Sequence, residues 1–391
     1  MQNNHDNLLN NLNIQFLRYS IDDNAPLPEH IEQMDWDELL EFAKKQSIVG
    51  VLFHGMKRMG QHPCRPNKYQ IVEWYTISEE LKEENKQANR DAAMLTYLFF
   101  KKGNIKSCVI KGQANALMYP DPYMRTPGDI DLWTDQEPLD IICFVRSLCP
   151  TAGIEYHHVD CPLLKKTPAE VHMQPSFMGN LWHEHLLKKY CRQVRDEQFV
   201  NIVSLPDKAG RICTVTDSFN RVFQLTHVMH HFFFEGVGFR QIIDYYYLLR
   251  RGMTEEERQA DMKVIKRLNM VRFTKGMMWL MHDVLGLDKK LLLTEPNEKI
   301  GRLLLSEIIK AGNFGFHDER YSFRGRSVYS QYFLEMYRNL HFAWYFPSET
   351  IWGRPVSRWW HMIYKAYIRR RVKNAMKKKD ATPRPAQEQA K

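Results

Sequence analysis

Residues 109–133 read VIKGQANALMYPDPYMRTPGDIDLW, and this stretch decides the fold. Asp129-Ile130-Asp131-Leu132-Trp133 alternates polar and apolar with a period of two, the pattern of a strand with one face in the core. Side chains two apart on a strand share a face, so Asp129 and Asp131 point together, with Cα atoms ~6.5 Å apart. Ile130 and Leu132 then face the core. Upstream, Ser107-Cys108-Val109-Ile110 is short and apolar and runs straight into Lys111-Gly112, which reads as a buried strand ending in a turn. The gap between that turn and Asp129 has room for one helix.

Two carboxylates side by side on a rigid strand repel unless a cation compensates them. Mg²⁺ takes hard oxygen ligands and keeps several waters, so two or three carboxylates plus substrate phosphates would complete its shell. Two such ions about 4 Å apart are the usual device for phosphate chemistry, and Mn²⁺ is an alternative ion. A bare D-x-D is common on solvated strands. Here a Gly-containing turn precedes it, whose backbone N–H groups could approach a triphosphate closely. Lys111 and Arg125 could neutralise phosphate charge.

Working outward, residues 1–102 read mainly as helix. Asp35 is placed to cap a helix carrying Leu39, Leu40, Phe42 and Ala43 inward, with Glu38 at the capping-box position. Tyr69 to Phe100 carries Trp74, Ile77, Leu81, Ala88, Ala92 and Leu95 at helical spacings. Residues 103–205 form a small mixed αβ unit, with a helix over Pro138 to Cys149. Gly153 to Asp160 and Ala169 to Gln174 suit two strands of a hairpin. Residues 206–350 return to helix over Ser218 to Phe233, Gly238 to Arg250, Thr254 to Asn269 and Val271 to Leu285. Residues 351–391 form a basic aromatic tail whose Pro/Gln/Ala-rich end, Thr382 to Lys391, is expected to be disordered.

The stretch 109–133 resembles the DNA polymerase beta-type nucleotidyltransferase superfamily, whose core carries a Gly-containing turn, an Asp-x-Asp strand and a third carboxylate on a later strand. More closely it resembles an uncharacterised nucleotidyltransferase family found widely in bacteria, through Lys111-Gly112, Arg125 and Asp129-Ile130-Asp131-Leu132. Glu170-Val171-His172 resembles that family's Glu-x-His strand. HVMHHFFFEGVGFRQIID, residues 227–244, resembles its helical segment with paired His, an Arg and an Asp. The resemblance runs from about residue 35 to 320. The turn is Gly112-Gln113 where the superfamily has Gly-Gly or Gly-Ser, and the gap to Asp129 is longer than usual.

The resemblance implies an α+β fold: a small mixed-sheet nucleotidyltransferase core flanked by N-terminal helices and a larger C-terminal helical domain. It implies transfer of a nucleoside monophosphate from an NTP, ATP among them, to an acceptor that the sequence does not identify: a small molecule, a sugar, a tRNA end or a protein side chain. Asp129 and Asp131 would bind magnesium, and Glu170 would be the third carboxylate, as general base or ligand. Asp160 and Glu155 compete with it. Lys111, Gly112, Gln113 and Arg125 would bind the nucleotide, with His172 and Arg240 on the substrate side. A rival reading keeps the fold as a catalytically inactive binding or regulatory module.

His227 and His231 stand four apart on one helix, a spacing that can hold zinc, but packing between helices suits them as well. Arg240 and Asp244 share that spacing and are expected to pair. Ala311 to Phe316 reads as a tight turn.

The net charge of +9 is uneven. Arg354 to Lys379 holds ten Lys/Arg and no Asp/Glu, so the remainder sits near −1 (9 − 10). The body is therefore neutral, and basicity alone does not make it a nucleic-acid binder. The tail helix, Ser357 to Lys379, mixes Trp359, Trp360, Ile363, Tyr364, Tyr367 and Ile368 with cations. It could pack on the body, touch an anionic membrane surface or bind RNA. Seven cysteines without a CxxC pair indicate a reducing compartment. MQNNHDNLLNNL has neither a basic start nor an apolar run, so no signal peptide is expected. The cytoplasm is the expected location, with peripheral attachment at the inner membrane surface left open by the tail.

Overall fold

The computed structural model describes residues 10–315 and 327–381. Phe316, Thr382 to Lys391 and the first nine residues lie outside the described residues. The fold is α+β, a small mixed sheet in a mostly helical chain.

Among the described residues, four α-helices lead into the sheet: α1 (Leu12–Ile21), α2 (Trp36–Gln46), α3 (Val49–Arg58) and α4 (Lys68–Gly103). Asp35 caps α2, accepting from the backbone N–H groups of Asp37 and Glu38. In α4, Asn67 accepts from Tyr69 and Gln70 while the Gln70 side chain returns to the Asn67 N–H, a reciprocal capping box. Asn104, left-handed at φ 51°, ends that helix. Trp74, Ala88, Ala92, Leu95 and Phe99 are its buried side.

The sheet has four strands in the order β1-β2-β4-β3, with β1 (Ser107–Val109), β2 (Ile130–Thr134), β3 (His158–Asp160) and β4 (Ala169–His172). β1 runs antiparallel to β2, β3 antiparallel to β4, and β2 parallel to β4. A short helix α5 (Gln113–Ala116) lies between β1 and β2, and α6 (Pro138–Leu148) lies in the β2–β4 crossover. In that parallel pair Asp131 stands opposite Glu170, and Trp133 opposite His172. The pleat then sorts everything by face. Val109, Ile130, Leu132, Val159 and Val171 point into a core closed by Ala92, Leu95 and Phe99 of α4 and Ile141, Ile142 and Val145 of α6. The opposite face carries Cys108 and Trp133 into the larger helical core, and along it the carboxylates and histidines.

Helix α7 (Leu181–Gln198) and a two-stranded ribbon, β5 (Ile202–Ser204) with β6 (Arg211–Cys213), follow. Then come α8 (Asp217–Phe234), α9 (Phe239–Arg250), α10 (Glu255–Arg267), α11 (Val271–Trp279, continued by a π turn to Val284), α12 (Glu298–Ala311) and α13 (Val328–Asn339). Trp133 clamps sheet to helices, its ring 5.6 Å from Phe219 of α8 and 5.3 Å from Phe199. The turn at Asn313–Gly315 packs against the α8–α9 connection so closely that a Cβ on Gly236 would lie 2.6 Å from the Gly315 nitrogen. That contact fixes where α9 begins, and α9 carries Arg240 and Asp244.

The last helix, α14 (Arg354–Ala381), lies against the sheet's second core, where Ile368 and Val372 are buried. Trp359 and Trp360 do not fill a groove: they are 64% and 44% exposed. The side chains that pack are His361, stacked 3.6 Å from Tyr156, with Tyr364, Ile368 and Val372. One face of the tail is thus structural, and the other faces outward. No helix among the described residues is long and apolar enough to cross a membrane.

Candidate functional site

The site begins at the turn after β1. Gly112 has φ 55°, a conformation that costs other residues steric strain, and a Cβ there would stand 3.1 Å from the Asp129 carbonyl. The turn therefore lies directly against the start of β2. Lys111, just before it, reaches back so that its Nζ is 3.0 Å from Asp131 Oδ1.

Asp129 and Asp131 come from β2 and its lead-in, and Glu170 from the neighbouring β4. Ligand-capable oxygens of all three lie within 4.8 Å of one another. Of the competitors, Glu155 pairs with Lys365 at 2.8 Å, and Asp160, opposite Glu170 in the β3–β4 register and 3.6 Å from His158, is not in that cluster. His172 sits beneath the carboxylates. Its Nε2 is 2.8 Å from Asp131 Oδ1 and 3.4 Å from Glu170 Oε2, and its Nδ1 donates to the Gln174 carbonyl at 3.4 Å. His158 adds an Nδ1 contact to Glu170 Oε2 at 3.3 Å. Sequence reading missed His158, which the β3–β4 register sets opposite His172; alternation gives the face of each strand but not that register.

The electrostatics follow from this packing. The Asp131 charge beside it, with burial, raises the Asp129 carboxyl above the ordinary aspartate range. Burial opposes ionisation of Asp131, but Lys111 and His172 outweigh it and hold its pKa far down. Burial likewise opposes the charge on Glu170, and hydrogen bonding to His172 with the nearby His158 lowers its pKa overall. Burial works against the His172 imidazolium too, yet Asp131 and Glu170 push its pKa up to about 9.

A group whose pKa rises on folding contributes stability below its unfolded pKa and loses it as pH climbs through the folded one. For His172 that window runs from about 6.5 to about 9. The shift is worth on the order of 3 kcal/mol. Chelator-treated protein is therefore expected to melt progressively lower across this window, and His172→Gln to flatten the dependence. An unchanged pH profile in the variant would remove His172 from this role.

Arg125, Gln113 and Arg240 make contacts that the sequence did not indicate, while Arg125 and Arg240 both line the cleft beside Asp129. Arg125 is buried and grips Asp244 with Nε to Oδ1 and Nη2 to Oδ2, both 2.8 Å. Asn115 and Tyr119 also donate to that carboxylate, at 3.1 and 2.7 Å. The strong partner of Asp244 is thus Arg125, 119 residues upstream, rather than Arg240 one turn away on α9. Arg240 instead donates to the Pro127 carbonyl at 3.2 Å, in the loop before Asp129. The Gln113 side chain turns away from the carboxylates to donate to Asn89 Oδ1 on α4 at 2.7 Å. His227 and His231 lie with rings 4.2 Å apart, and His231 pairs with Glu235 at 2.8 Å. Neither belongs to the groups of metal-capable side chains found among the described residues.

Two hollows meet at Lys111, Asp129 and His227. One, of about 30 Å³, is bounded by Gly112, Gly128, Arg240 and Gln241. The other, of about 200 Å³, is bounded by Glu170, His172, His157, Phe177, His230 and Glu235. A larger hollow of about 780 Å³ is lined by α1, residues 25–33 and Asp283–Val284, with none of the three carboxylates. Size alone does not mark a site; convergent titratable groups do.

A model of the family described as uncharacterised nucleotidyltransferase matches residues 32–286. No curated protein and no solved structure matches the chain.

Proposed function

The chain belongs to the family of uncharacterised nucleotidyltransferases, and from that premise we propose that it transfers a nucleoside monophosphate from an NTP to an acceptor hydroxyl or similar nucleophile. The observation that carries this reading is the convergence of Asp129, Asp131 and Glu170 from two adjacent parallel strands. The donor set is all oxygen and dianionic or more, which suits Mg²⁺, one ion or two, with Mn²⁺ as a substitute. A bound divalent ion would supply neutralisation of phosphate charge and polarisation of the attacking oxygen.

The chain's own residues divide the remaining work. The Gly112 turn and Arg240 flank the smaller hollow, and we assign the triphosphate to that side. Gly112 lets backbone approach phosphate, and Arg240 offers charge. The larger hollow, beside Glu170, is assigned to the acceptor. Glu170, kept ionised by His172 and His158 at its Oε2, accepts a hydrogen bond from the attacking hydroxyl and takes its proton at Oε1. The acceptor oxygen bonds to the α-phosphorus, the bond to the bridging oxygen breaks, and pyrophosphate leaves. Arg125 and Asp244 hold the floor of the cleft rather than the nucleotide. We place the family with the DNA polymerase beta-type superfamily on a three-carboxylate arrangement of the same kind behind a Gly-containing turn. Seven free thiols support a reducing, cytoplasmic setting.

The test is label transfer. NTPs labelled at the α-phosphate and, separately, at the γ-phosphate are incubated with the protein and cell extract. The α-label should appear in an acceptor and the γ-label in pyrophosphate. A γ-labelled acceptor would make the protein a phosphotransferase instead.

A further inference from the structure

Helix α14 is held in one rotation by its inner face. Ser357, Ile368 and Val372 are buried, Lys365 pairs with Glu155 at 2.8 Å, and Arg369 donates to the Ile154 carbonyl at 2.9 Å. Its outer face is therefore fixed as well. From the π turn before it, Trp352, Val356, Trp359, Ile363 and Tyr367 follow at helical spacing on one side, all more than half exposed. At 1.5 Å per residue this apolar stripe is about 22 Å long. Isolated exposed apolar side chains are ordinary, but an uninterrupted stripe is not. Past Tyr367 the same side turns cationic, with Arg370, Lys373 and Lys377 exposed and Arg371 beside them. No acid occurs from Arg354 to Lys379.

We propose that this outer face of α14 docks on an anionic lipid surface, with the Trp352–Tyr367 stripe in the headgroup–acyl boundary and the Arg370–Lys377 segment over anionic headgroups. Trp and Tyr are side chains of that boundary, apolar in body and polar at one edge, and cations alongside add Coulombic attraction. The arrangement suits lipid better than RNA. Single-stranded RNA sites interleave stacking rings with cations along a groove. Here Val356 and Ile363 offer no ring to stack on, and on this face the cations begin only where the rings end, at Tyr367, whose hydroxyl accepts from Arg371 at 3.0 Å. A second copy in register would oppose cation to cation. The proposal does not depend on the catalytic reading.

The full chain is sedimented with vesicles of phosphatidylcholine alone, or with roughly one-third phosphatidylglycerol. It should partition onto the anionic vesicles only, and less at high salt. Trp359→Ser with Ile363→Ser, and separately Arg370→Glu with Lys373→Glu, should each weaken partition by roughly tenfold or more. Melting temperatures should not move, because these side chains face outward. The proposal is overturned if wild type and both variants partition alike, or if wild type ignores anionic vesicles. It is also overturned if light scattering shows a dimer that the first variant dissolves, or if a single-stranded RNA oligonucleotide is bound and the same variants release it.

Discussion

Asp129→Asn should abolish label transfer, by roughly a thousandfold or more, while leaving the metal-free protein as stable as wild type or slightly more stable. The two halves of this expectation have separate causes. On the proposed reading, catalysis would lose one of three anionic oxygen donors for the metal ion that neutralises phosphate charge. Stability gains because Asp129 ionises against the Asp131 charge and against burial, as its raised pKa records. Removing that repulsion relieves the fold, a common exchange between activity and stability. Asp131→Asn should be equally inactive but less stable, since Lys111 at 3.0 Å and His172 at 2.8 Å lose their anionic partner. Melting curves in chelator beside the labelling assay separate the two variants. If both lose stability alike, or if Asp129→Asn keeps activity, the charge distribution described for the triad is wrong.

The second large effect belongs to Asp244→Ala. Its carboxylate is nearly inaccessible and takes two 2.8 Å bonds from Arg125, besides those of Tyr119 and Asn115. Removing one member of a buried pair leaves the other charge desolvated and alone, which costs about 3–5 kcal/mol. A urea titration should show that loss, and Asp244→Asn, which can still accept from Tyr119, should lose less. Arg125 also forms part of the loop leading to Asp129, so residual activity should fall with the fraction folded. A change below about 1 kcal/mol in the alanine variant would show that Arg125 finds another partner, and would return it to consideration as a nucleotide ligand.

What was legible in the sequence was what short-range periodicity encodes. The face shared by Asp129 and Asp131 and the side shared by Glu170 and His172 both follow from alternation, and within the 153–160 and 169–174 segments His158–Asp160 and Ala169–His172 do pair as strands, whereas Ile154 bridges back to Val159. The caps at Asp35 and the long helix before Gly103 were also readable. Choices between distant partners were not. Nothing local tells Asp244 to take Arg125 rather than Arg240, because helical spacing permits the nearer pair and only the packed cleft selects the farther one. The β5–β6 ribbon passed unnoticed since its strands are three residues each, and β5 has little buried surface to set a pattern. Helix α7 was missed because polar and charged residues outnumber its apolar ones and little of it is buried. Its Asn180 cap, accepting from Trp182 and His183, was the available signal.

The site itself rests on whether Asp129, Asp131 and Glu170 share a cation. Diffraction from a crystal of the full chain with Mn²⁺ and an NTP analogue blocked at the α–β bridge measures this directly, through the anomalous signal of manganese. A peak is expected at bonding distance, about 2.1–2.2 Å, from oxygens of Asp129 and Asp131, with Glu170 in the same cluster and the triphosphate toward Gly112 and Arg240. A peak bound elsewhere, or an analogue ordered without any ion between it and these carboxylates, would contradict that expectation.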